Sequence, residues 1–131
     1  MLRRLQNVLK NNSETSENHY DPLLRTPYFK ANRTSVMDAL EDLVRQKQNY
    51  KLLGSSRERG EFSFQVTSPR KAFVVVTATT LRPYRTAIDF NVSTESALPV
   101  DFGYSKKVIA NVTEELKGKL EYIGTSLMEN N

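Results

Sequence analysis

Two arginines, a tyrosine, an aspartate and an asparagine fall close together at Arg82, Tyr84, Arg85, Asp89 and Asn91. A guanidinium fork pairs with carboxylate or phosphate through parallel hydrogen bonds, so such a set on one sheet face can take an anionic or peptidic ligand. If the site were catalytic, Asp89, Arg85 and Tyr84 would be its working groups. The same residues also suit the wet side of an antiparallel sheet, where polar side chains are the norm. Cross-strand ion pairs there contribute only about 0.2–1 kcal/mol and need no functional reason. Glu61 and Gln65 can belong to that same outer face.

Other chemistries lack their parts. The chain has no Cys and one His, which excludes a disulfide framework, a thiolate metal site, a Cys nucleophile and any site built on two histidines. A hydrolytic triad needs a base held beside its nucleophile. His19 lies in a polar segment expected to be a linker, which cannot hold it to catalytic geometry. The five glycines never cluster into a phosphate loop, and no carboxylate set has metal-loop spacing. No cofactor and no metal is expected.

The charge is uneven. Of 19 Lys+Arg and 15 Asp+Glu, residues 1–33 hold six against three, and residues 34–131 hold 13 against 12. A nucleic-acid-binding domain places its cations along a folded face. Here the folded part is nearly neutral, which argues against nucleic acid as the partner. Leu2, Leu5, Val8 and Leu9, interleaved with Arg3, Arg4 and Lys10, form a short basic amphipathic segment. It can touch a membrane surface or nucleic acid, or dock on its own domain. No secretory h-region and no apolar run long enough to span a bilayer occurs, so a cytoplasmic location without a transmembrane segment is expected.

The elements that must position these residues follow from periodicity. Residues 11–18 carry no apolar side chain, so residues 1–20 are expected to be a basic arm and polar linker, with one domain over 21–128. Tyr28–Ala31 suits a short strand. Thr34 or Ser35 can cap a helix over about 34–48, whose Val36, Leu40, Leu43 and Val44 recur at helical spacing. Strands follow at 50–53, 61–67, 72–79 and 85–93, with a hairpin loop ending at Gly60. Short loops between them favour antiparallel pairing. Tyr104, Val108, Ile109, Val112, Leu116, Leu120, Ile123 and Leu127 form the stripe of a closing helix, capped by Ser105 and ending or fraying near Gly118 or Gly124. The expected fold is α+β: an antiparallel sheet of four to five strands with two amphipathic helices packed on one face.

The stretch Phe29 to Leu120 resembles a family of small bacterial domains of unknown function. The matching pieces are the helix after Asn32-Arg33-Thr34, the Arg59-Gly60-Glu61-Phe62 hairpin entry, the Thr86-Ala87-Ile88-Asp89-Phe90 strand and Asp101-Phe102-Gly103 before the final helix. The resemblance implies a bacterial protein and carries over no catalytic residue.

The leading expectation is a non-enzymatic binding or protein-interaction module, with free sheet edges that leave room for a homodimer. The first alternative is a small-molecule pocket or unusual enzyme near loop 98–104. It needs a cavity of at least about 300 Å³, and a core filled by Phe62, Phe64, Phe73 and Phe90 would remove it. Loop 98–104 mixes apolar and aromatic groups, which suits either a binding lip or a plug for the core. The second alternative is contact with nucleic acid or a membrane surface through the basic arm.

Overall fold

The computed structural model describes residues 12–94 and 103–125. Strand β1 (Asn12–Glu14) opens the described chain, followed by a 3-10 turn at Pro22–Leu24 and β2 (Tyr28–Phe29). Helix α1 (Arg33–Gln46) leads into β3 (Tyr50–Ser56), β4 (Glu61–Val66), β5 (Ala72–Arg82) and β6 (Arg85–Thr94). Helix α2 (Tyr104–Lys117) and β7 (Tyr122–Gly124) follow. The basic segment 2–10, residues 98–102 and the stripe's end at Leu127 lie outside the described residues.

The class is α+β with an antiparallel sheet, but the sheet has seven strands rather than four to five. Strands β3, β4, β5 and β6 lie side by side in chain order, as short loops require. The far side of β6 is shared: β1 pairs with its C-terminal half and β2 with its N-terminal half, and β7 adds beyond β2.

Two strands escaped the periodicity for separate reasons. β1 reads Asn-Ser-Glu, and its inward residue Ser13 meets the Ser105 hydroxyl at 2.7 Å instead of apolar side chains. β7 was hidden in the helical stripe. Helix α2 stops at Lys117, because a glycine inside a helix costs about 1 kcal/mol and Gly118 caps the end. Leu120 and Tyr122 still pack on the core, one in the connection and the other in a strand.

Both caps also differ from expectation. Asn32, not Thr34 or Ser35, caps α1, accepting the Ser35 N–H at 2.7 Å. Gly103, at φ 83°, begins α2, so Ser105 lies inside the helix and its hydroxyl is turned to Ser13.

One apolar cluster holds the elements together. Phe62 and Phe64 of β4, Val74 and Val76 of β5, and Ile88, Phe90 and Val92 of β6 alternate inward as the pleat demands. Val36, Met37, Leu40 and Leu43 of α1 and Val108, Ile109, Val112 and Leu116 of α2 complete it. The helices cover different strands: α1 lies against β3, β4 and β5, while α2 lies against β6, β1 and the 3-10 turn. Ion pairs Lys47–Glu115 and Lys119–Asp42, each 2.7 Å, join the two helices. Such partly exposed pairs orient more than they stabilise. Phe73 is not in this cluster, since it pairs with Gln65 and Ser93 on the opposite face.

The turn between β3 and β4 ends at Gly60, whose φ of 70° belongs to the left-handed region. Its carbonyl accepts the Ala78 N–H at 2.7 Å, so the turn is bonded directly onto β5.

Candidate functional site

The sheet divides the five expected site residues into two groups. Arg82, Tyr84 and Arg85 come together at the tip of the β5–β6 hairpin. Asp89 and Asn91 lie farther down β6, on the same outward face as Arg85. Four steps along the strand separate Arg85 from Asp89, roughly 13 Å.

The tip is unusual in backbone and in composition. Arg82 pairs with Arg85 across a two-residue loop, Pro83-Tyr84. Proline fixes a negative φ at the first loop position, and Tyr84 has φ 59°, the pattern of a type II turn. That second position ordinarily takes Gly or Asn, because a Cβ in the left-handed region costs about 1–2 kcal/mol. Among the described residues Tyr84 is the one non-glycine with positive φ. Its side chain is not repaid by burial, being 63% exposed. A bulge between Thr80 and Arg82 turns out Leu81, which is 44% exposed.

The tip also protrudes. Glu61, the first residue of β4, pairs with Thr77, so residues 79–82 of β5 run on past it, and residues 79–84 are all exposed. The overhang on that flank is roughly 13 Å at strand rise. On the other flank β2 ends beside Thr86, leaving Arg85 and the turn beyond it. Residues 79–88 contain no carboxylate, and neither Arg82 nor Arg85 forms an ion pair among the described residues.

Asp89 and Asn91 are occupied by the chain itself. β1 and β2 form one interrupted edge along β6. Thr15 N–H donates to the Phe90 carbonyl at 2.9 Å, and the Ile88 N–H donates to the Pro27 carbonyl at 3.0 Å. Between these points residues 16–26 leave the sheet as a compact surface loop and return. Ser16 N–H donates to the Leu24 carbonyl, and Thr26 N–H donates back to the Ser16 carbonyl. Asp89 stands opposite the gap. Its Oδ1 accepts from Thr15 Oγ1 at 2.7 Å and from Thr26 Oγ1 at 2.6 Å, so one carboxylate oxygen pins both ends of the loop. Thr15 Oγ1 accepts in turn from the Phe90 N–H at 2.8 Å. Asn91 accepts from Asn12 Nδ2 at 3.0 Å and donates to Glu14 Oε2 at 3.2 Å.

The segment expected to be a linker is therefore hydrogen-bonded to the sheet. His19 Nδ1 accepts the Asp21 N–H, and the His19 ring stacks on Tyr20. Lys106 pairs with Asp21 at 2.6 Å. Burial pushes the Asp21 carboxyl up, but Lys106 and the Leu23 N–H outweigh it and hold it below its ordinary value.

Tyr28 sits beneath this loop, 2% exposed. Burial, a hydrogen bond to Glu17 and the charges of Glu17 and Asp89 push its phenol up to about 12. A phenol whose folded value lies above its ordinary 10 contributes stability that is whole below pH 10 and lost as pH rises toward 12. Wild-type stability should therefore fall more steeply over that window than that of Tyr28→Phe, measured by urea unfolding at stepped pH. Parallel curves would reject the assignment.

Described residues line several hollows, two of which bear on ligand binding. A cleft of about 710 Å³ along α1 is lined by Asp38, Glu41, Asp42, Arg45 and Lys119. Arg57 takes Asp38 and Glu41, and Lys119 bonds Asp42 and holds that carboxyl below its ordinary range. A recess of about 260 Å³ lies beside Tyr104, between Tyr50, Val66, Pro69 and Val108. It falls short of the roughly 300 Å³ at which small-molecule sites begin. Phe62, Phe64 and Phe90 fill the core beneath the helices.

Leu81 is the tip residue that sequence reasoning missed, because nothing in a β-branched run announces a bulge. The partners of Asp89 were missed for a different reason: Thr15 and Thr26 are 74 and 63 residues away in the chain. No protein-family model, curated protein or solved structure matches the chain.

Proposed function

We propose that the protein is a non-enzymatic binding module that presents the β5–β6 hairpin tip to an anionic partner. The observation that carries this is Tyr84, an exposed aromatic side chain in a backbone conformation that favours glycine, set between two arginines that pair with no described carboxylate. Backbone strain persists where the surroundings impose it or function uses it. The two-residue turn between the paired Arg82 and Arg85 sets this conformation, and the side chain that bears it stands in solvent instead of packing on the domain. Exposed Tyr and Arg are also the residue types that most often anchor interfaces.

Self-association along β3 has less to support it. That edge exposes Leu52 and Leu53, but a bulge falls at Leu53 and Lys51 stands beside it. Bulges and edge lysines discourage strand-to-strand pairing.

The test separates stability from binding. Tyr84→Gly should raise stability by about 1 kcal/mol, since it relieves the left-handed strain. The same variant should weaken retention on an immobilised polyanion. Arg82→Ala with Arg85→Ala should elute at distinctly lower salt than Lys51→Ala with Lys71→Ala, which removes the same charge elsewhere. Equal elution of the two pairs would reject the tip as the contact.

A further inference from the structure

Resting on that reading, we infer that the anionic partner is the phospholipid headgroup layer of a membrane, into which the hairpin tip dips. The tip is convex and narrow, so it cannot enclose a peptide. Two arginines are too few to follow the regularly spaced phosphates of a nucleic acid, whose affinity comes from many such contacts. A headgroup layer suits what the tip carries. Tyrosine settles at the level where apolar and wet regions meet, leucine goes below it, and arginine keeps its guanidinium among the phosphates while its stem lies in apolar surroundings.

The dimensions agree. Interfacial segments sink about 5–10 Å. The tip overhangs β4 by roughly 13 Å, and on the β2 flank only Arg85 and the two-residue loop run past the strand, so it can reach that depth without burying the sheet. The bulge that turns out Leu81 places a second apolar side chain beside Tyr84. Residues 79–88, which make up the tip and its root on β6, hold two arginines and no carboxylate, so the tip is purely cationic.

The chain contains no tryptophan, so Tyr84→Trp in the 131-residue chain is a single reporter. With mixed phosphatidylcholine–phosphatidylglycerol vesicles at millimolar lipid, its emission should shift to the blue and be quenched by brominated acyl chains. Pure phosphatidylcholine should leave it unchanged. Arg82→Glu with Arg85→Glu should weaken co-sedimentation of the otherwise unaltered protein by at least about tenfold, because two attractions become repulsions. A single-stranded oligonucleotide and polyglutamate serve as the soluble anions. If they bind through the tip and vesicles do not, the lipid assignment is overturned and the binding module stands. If no probe distinguishes the tip pair from the Lys51/Lys71 pair, both fall. If vesicles bind the Arg82→Glu/Arg85→Glu variant as well as wild type and lose the protein only when residues 1–10 are deleted, the contact belongs to the basic segment and the inference is wrong.

Discussion

Asp89→Ala should destabilise the fold by about 3 kcal/mol and release residues 16–26 from the sheet. One carboxylate oxygen accepts two threonine hydroxyls, at 2.7 and 2.6 Å. Hydrogen bonds to a charged group contribute about 1.5–3 kcal/mol each, and the group is half-buried, so the lower end applies. Truncation also leaves two hydroxyls facing a gap. Asp89→Asn keeps an acceptor oxygen in place without its charge, and should lose about 1 kcal/mol. The measurements are urea unfolding and amide exchange. Exchange should quicken at Thr26 and Ser16, whose N–H groups close the loop, while amides of β4 and β5 change only with global stability. If Asp89→Ala unfolds within about 0.5 kcal/mol of wild type, the carboxylate is not the clamp.

Gly60→Ala should cost a similar amount, about 3 kcal/mol, by a different route. The residue has φ 70°, where any Cβ is strained. The added Cβ would lie 2.4 Å from the Ala78 carbonyl oxygen and 2.9 Å from Arg33 Cδ. The arginine stem can move aside; the carbonyl cannot, since Ala78 belongs to a central strand and its own N–H is bonded to Gly60. Forcing the two apart breaks the bond that fastens the β3–β4 turn onto β5, and forced backbone shifts in packed regions cost about 1–3 kcal/mol beyond the conformational strain. A second comparison separates the two terms. Gly103 is also left-handed, at φ 83°, but among the described residues nothing lies within 4 Å of a Cβ there. Gly103→Ala should therefore show the conformational penalty alone, about 1 kcal/mol, in the same thermal or urea experiment. Equal losses at the two positions would mean that the close approach at Gly60 contributes nothing.

Local chemistry made much of the fold legible. The α1 stripe of Val36, Leu40, Leu43 and Val44 needed only its own spacing to be read, and the helix begins within two residues of the expected start. The alternation of Phe62, Phe64 and Val66 likewise faces inward as read. Failures came where a residue's role is set by a distant partner. Asn12-Ser13-Glu14 has no apolar signal because its single inward side chain is satisfied by a hydroxyl on α2. Leu120 fits the helical stripe and is half-buried, yet it lies past a helix that ends at Gly118, one of the two glycines expected to end it. At the candidate site the same division holds. Arg82, Tyr84 and Arg85 are neighbours in sequence and remain neighbours in space. Asp89 and Asn91, which looked like members of their set, are committed to residues 12–26.

The shared edge of β6 has a consequence for how the molecule is assembled. Residues 12–29 leave the ribosome well before their pairing partner, residues 86–93, which emerges some seventy positions later. The α1–β3–β4–β5 stretch, built from near-neighbour pairings, can organise while the opening segment still waits for its strand. Closing so long a span is entropically slow, and until it happens β6 offers a naked flank to any stray extended chain. A segment made early thus has to wait for a strand made late, and Asp89 is the latch that ends the wait.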